Sequence, residues 1–128
     1  MSRRSRSKEF LEFEIAFYER LLADHPDFTD ALLALGEAYT RQGCFEQGLA
    51  VDQKLARLKA HDPVVWYNLA CSYALLERHE EALDALQKAL DLGYDDVEYL
   101  LNDPDLASLH RSPQLRRLLA QRVFPKTS

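Results

Sequence analysis

Two stretches of this sequence repeat each other at a distance of 34 residues. Trp66, Leu69, Ala70 and Tyr73 stand where Leu32, Leu35, Gly36 and Tyr39 stand one period earlier. The segments that follow keep the register, with Ala82 on Gly48, Leu86 on Asp52 and Ala89 on Leu55. A fixed period of this length marks one supersecondary unit placed beside a copy of itself. Each unit carries an apolar face that only a neighbour can cover. Inside each period the apolar residues recur at three- and four-residue spacing, the pattern of helices and not of strands.

The punctuation supports pairs of helices. Thr29–Gln42 reads as the first helix of repeat one, with Gly43 offering a left-handed end, and Phe45–Ala60 as its partner. Gly36 and Gly48 are expected where two helices approach closely, which would offset the roughly 1 kcal/mol that a mid-helix glycine costs. Asp62-Pro63 is a start signal for a helix to Leu76, and His79–Leu92 follows, closed by Gly93. Trp66 is expected to wedge between helices.

The motif W-x2-L-[GA]-x2-Y followed nine places on by a small residue, at this period, resembles the tetratricopeptide repeat. The resemblance covers roughly Glu9 to Val123 and implies an all-α solenoid of antiparallel helix pairs, with about seven or eight helices and caps at both ends. The expected division is a disordered basic tail over 1–8 and one domain over 9–123, followed by a tail over 124–128. The domain divides into a half-repeat (9–26), repeat one (29–62), repeat two (63–96) and a degenerate closing segment (97–123).

Both ends depart from the repeat. Ser7–Ala23 reads as a helix with Ser7 as N-cap and Pro26 as its stop; it matches only the second helix of a repeat. After Tyr94 the pattern degrades into three short starts, at Asp95 or Asp96, at Asp103-Pro104 and at Ser112-Pro113.

Charge narrows the class of partner. Between residues 9 and 105 all 21 acids face seven bases, while the first eight residues and the segment after Asp105 hold only bases. An acidic body argues against a nucleic-acid groove along the repeats. No window approaches the roughly 18 apolar residues of a membrane span, and the start has no secretory pattern. Cys44 and Cys71 form no metal-ligand spacing, and a single pair suits a reducing compartment. A cytoplasmic, bacterial setting is the expectation.

The resemblance implies a concave surface lined by the first helix of each repeat, which receives a peptide or a partner helix. Carried over by position, that groove would comprise Asp30, Leu33, Glu37, Thr40 and Arg41, then Tyr67, Asn68, Cys71 and Leu75, and finally Glu98, Leu101 and Asn102. One subclass of the family grips chaperone C-terminal carboxylates. Its basic and amide residues would fall on Leu33, Glu37, Glu98 and Asn102, and only Asn68 matches. Glu37 and Glu98 would repel a carboxylate, so a neutral or basic protein ligand is the expectation.

A second surface is expected on the first helix. There Phe10, Phe13 and Phe17 form an aromatic face beyond the Ile15, Tyr18, Leu22 stripe. It could pair with a second copy or take a partner helix, making the chain a structural oligomerisation module. Catalysis finds no support: the four histidines are scattered, and Glu80-Glu81 and Asp95-Asp96 sit at helix starts, where the helix dipole favours them. The four glycines are isolated, with no phosphate loop. The chain is therefore expected to be a non-enzymatic binding module without metal or cofactor.

Overall fold

Every regular element among the described residues is helical in the computed structural model of the chain, which describes residues 3–122. The described residues form seven α-helices: α1 (Arg3–Asp24), α2 (Thr29–Gln42), α3 (Phe45–Leu58), α4 (Pro63–Leu75), α5 (His79–Asp91), α6 (Val97–Asn102) and α7 (Pro113–Arg122). A 3-10 helix over Pro104–Leu109 lies between α6 and α7. The helices fall into two compact units that divide between Leu58 and Lys59, inside the span expected to be one domain, and each unit has its own packing.

In the first unit α2 packs on both α1 and α3. Its core is Ile15 from α1 with Leu35, Ala38 and Tyr39 from α2, and Leu11, Tyr18, Leu22, Cys44 and Val51 close around it. The Tyr39 hydroxyl donates to Glu19 Oε2 at 2.6 Å, tying α2 to α1. The two glycines act as their positions imply. A Cβ on Gly36 would stand 3.0 Å from Asp52 Oδ1, and one on Gly48 would stand 3.3 Å from Thr40 Oγ1. A side chain at either place would crowd the facing helix, whose nearest side chain would have to give way slightly.

Helix α1 begins at Arg3, ahead of the Ser7 start expected for it, so Ser7 lies inside the helix and is not its cap. From residue 3 onward the expected tail is helical backbone, because Arg, Lys and Glu favour a helix even where no core is built. Residues 1–2 and the tail expected over 124–128 lie outside the described residues.

In the second unit α4 packs on α5 and on the 3-10 helix, and α5 also meets α7. Leu86, Leu100, Leu106, Leu109, Leu115 and Val65 are fully buried. Asp62 caps α4 by accepting from Val64 N at 2.9 Å, with Pro63 in the first turn as expected. Asp96 caps α6 through Tyr99 N at 3.0 Å, and Asp103 caps the 3-10 helix through Asp105 N at 3.0 Å. Trp66 is half-buried, not wedged: its Nε1 donates to Ala60 O at 2.8 Å and Lys88 Nζ lies 5.9 Å from the ring centre. Its counterpart Leu32, one period earlier, is 4% exposed.

The repeat is visible in the backbone itself. Helix α2 closes with Cys44 N on Tyr39 O (2.9 Å) and Gly43 N on Thr40 O (3.0 Å). Helix α4 closes with Arg78 N on Tyr73 O (2.9 Å) and Glu77 N on Ala74 O (2.9 Å), the same bonds one period later. Both turns need a left-handed residue: Gly43 has φ 85°, and Glu77, its counterpart, has φ 58°. A side chain in that conformation costs roughly 1 kcal/mol or more. Glu77→Gly should therefore raise the stability of the second unit by about 1 kcal/mol in urea titrations. No gain would mean that the glutamate side chain contributes a compensating contact.

Candidate functional site

The polar centre of the second unit is built from α4 and the closing segment. Tyr67, next to the Trp66 of the repeat motif, points at the start of the 3-10 helix. Its hydroxyl donates to Asp103 Oδ2 at 2.6 Å. Cys71, one helical turn on, places Sγ 3.7 Å from the same oxygen, while Asp103 Oδ1 accepts the Asp105 amide. The Tyr67 ring stacks on Tyr94, with centroids 4.3 Å apart and planes within 5°, and meets Tyr99 at 6.0 Å. Ser108 Oγ adds a bond to Ala74 O at 3.2 Å. One buried carboxylate thus pins α4 to the segment that follows the repeats.

Electrostatics in this cluster follow from burial. Loss of water pushes the Tyr67 hydroxyl far above the usual phenol range, and its bond to Asp103 adds to the effect. Burial, with the Asp103 and Asp105 charges behind it, raises the Cys71 thiol well above an ordinary cysteine. Tyr94 is pushed up to about 12, mainly by burial. The Asp105 carboxyl is raised by desolvation and by its neighbour Asp103. A thiol held protonated is a poor nucleophile, so Cys71 acts here as a small buried residue with a weak hydrogen bond.

Cys71, Asp103 and Asp105 bring their sulfur and carboxylate oxygens within 4.8 Å of one another, a juxtaposition that sequence spacing did not reveal. Asp103 already receives Tyr67, Cys71 and the Asp105 amide. The cluster reads as a satisfied polar core.

The expected groove residues separate into two groups. Tyr67 (3% exposed) and Cys71 are buried, contrary to the expectation that they line an open surface, because Asp103 draws both inward. In the first unit Thr40 bonds Gly36 O at 3.1 Å and faces Gly48, so it serves the α2–α3 contact. Arg41 reaches Glu14 on α1 at 3.1 Å. Asp30 and Glu37 are exposed and Leu33 is half-buried. In the second unit Asn68 and Leu75 are half-buried, whereas Glu98, Leu101 and Asn102 are exposed on α6. Asn102 Nδ2 donates to Glu98 O at 2.8 Å. Sequence reasoning missed Tyr99, 57% exposed at the edge of the tyrosine stack; Leu101, two residues on, is 48% exposed. The signal available was an aromatic residue in the first turn of a six-residue helix beside Leu101.

On α1 the three phenylalanines are open: Phe10 is 63%, Phe13 68% and Phe17 54% exposed. They lie opposite Ile15, the residue that α1 gives to the core. No helix among the described residues is long and apolar enough to cross a membrane.

Comparison with known proteins agrees with this architecture. Residues 63–92, the α4–α5 pair, match the tetratricopeptide repeat family. The chain is also similar to a curated chloroplastic protein of Arabidopsis thaliana: 33% of residues are identical over 89 positions, which cover 67% of this chain. The matched part spans only 27% of that relative's length. Paired helices with a 34-residue register, matching closing turns and the family match over 63–92 make this chain a tetratricopeptide repeat protein.

Proposed function

We propose that the chain is a non-catalytic adaptor or assembly module that holds a neutral or basic protein segment against the α4–α6 face of its second unit. Tetratricopeptide repeats are protein-interaction modules in general, and the more specific assignment rests on one observation. Helix α6 leaves Tyr99 and Leu101 open beside Glu98, Asp95 and Asp96, while the Tyr67–Asp103 bond anchors the helix from below. Aromatic and aliphatic side chains framed by acids suit an extended segment carrying apolar and cationic residues. Half-buried Asn68 on α4 can pair with the backbone amides of that segment. Two unpaired cysteines fit a reducing compartment, and cytoplasmic residence belongs to the same proposal.

Selection from a displayed peptide library tests this reading. Enriched peptides should carry apolar residues with Lys or Arg and lack acidic clusters. Tyr99→Ala with Leu101→Asp should weaken their binding by about tenfold or more, the range of an interface anchor. Phe13→Glu on α1 should leave it unchanged. Enrichment of acidic peptides, or binding indifferent to the α6 changes, would overturn the assignment.

A further inference from the structure

The α1 phenylalanines belong to a different surface, and we infer that they pair with the same face of a second copy, antiparallel, in a reversible homodimer. The three rings together leave roughly 350 Å² of apolar surface open, taking about 200 Å² for a whole ring side chain. That reaches the size of the largest apolar patch on a typical monomer, which is often a functional surface.

The occupant follows from what flanks the rings. Phe10, Phe13 and Phe17 repeat at three and four residues, the seam spacing of paired helices, and the same seam continues to Arg20. Glu9 lies beside the seam at its other end. With two copies running antiparallel about a twofold near residue 15, Phe13 meets Phe17 of the second copy. Phe10 then meets Arg20 of the second copy, and Glu9 lies alongside that same guanidinium. Each end joins a ring, a cation and an acid, so the face complements its own reverse. A parallel pair would set Arg20 on Arg20 and Glu9 on Glu9. Glu14, next to Phe13, is already engaged by Arg41 and does not oppose the pairing with a free charge. The rings of two copies remove only roughly 700 Å² from water, and helix flanks extend this toward the low end of specific interfaces. The association is accordingly weak, on the order of 10 µM.

Sedimentation of the full chain reads the dimer directly. The wild type should have the monomer mass at about 1 µM and approach twice that mass at about 200 µM, the range set by such a small interface. Phe13→Glu should remain a monomer at both concentrations, with an unchanged circular dichroism spectrum because the ring is exposed. Arg20→Glu should weaken pairing at least tenfold, and adding Glu9→Arg should restore it. A wild type still monomeric at about 1 mM, far above the affinity such an interface supports, overturns the inference, as does a Phe13→Glu dimer equal to wild type. Failure of the charge swap to restore Arg20→Glu overturns the antiparallel register. These readouts are independent of the α6 surface, so either proposal can fail alone.

Discussion

Replacing Asp103 by alanine should remove about 3–5 kcal/mol from the second unit and detach α6 and the 3-10 helix from α4. The residue is buried and carries three roles at once. It accepts the Tyr67 hydroxyl at 2.6 Å, lies 3.7 Å from the Cys71 thiol, and caps the 3-10 helix through the Asp105 amide. A lost cap costs about 1 kcal/mol. A hydrogen bond to a carboxylate contributes about 1.5–3 kcal/mol, and a buried hydroxyl left without an acceptor adds a desolvation cost of similar size. Tyr67→Phe isolates the pair. Alone it should cost about 1–3 kcal/mol because Asp103 loses its strongest donor, yet in the Asp103→Ala background it should cost almost nothing. Urea titrations of the four proteins give the coupling directly. Additive losses would show that Tyr67 and Asp103 act independently, against the geometry.

The same pair shows what the sequence could and could not convey. Local signals were legible because their physics is local. Gly43 must be left-handed, Asp62-Pro63 must start a helix, and Asp96 and Asp103 are followed at once by amides needing an acceptor. Spacing also located the α2–α3 contact at Gly36 and Gly48, since a repeat forces two helices past each other at fixed positions. The inward turn of Tyr67 and Cys71 was not legible. It depends on a residue 36 positions away from Tyr67 that looks, in sequence, like an ordinary helix cap. Once the closing segment folds back on α4, that cap is buried. A buried carboxylate must then find donors, and the nearest are the residues expected to face a ligand. Glu77 was equally silent, because nothing about a glutamate announces a positive φ. Only its counterpart Gly43 exposes the requirement. The open phenylalanines, by contrast, were evident from helical spacing alone, as Ile15 can face the core only if they face away from it.

Alkaline pH should unfold the second unit more steeply than the first. Tyr94 titrates only near 12 in the folded chain and Tyr67 higher still, both through burial. In the first unit Tyr39 is pushed up to about 12 by burial and by its bond to Glu19. Each phenol keeps its proton in the fold but releases it near 10 when unfolded. The stabilisation is therefore complete below about pH 10 and is lost as pH rises from there through the folded values, because the unfolded chain binds fewer protons. Each such group contributes about 1.4 kcal/mol per pH unit within that window. Three in the second unit, Tyr67, Tyr94 and the Cys71 thiol that burial also keeps protonated, give about 4 kcal/mol per unit, against about 1.4 from Tyr39 in the first. Urea midpoints measured at about pH 10, 10.5 and 11 should fall on this slope. Tyr67→Phe, although less stable at neutral pH, should lose stability about a third more slowly above pH 10 in the second unit, since one of its three late-titrating groups is gone. A midpoint that does not move between about pH 10 and 11, or a Tyr67→Phe slope equal to wild type, would mean that the tyrosine stack is open to water and that Asp103 does not hold the closing segment on α4.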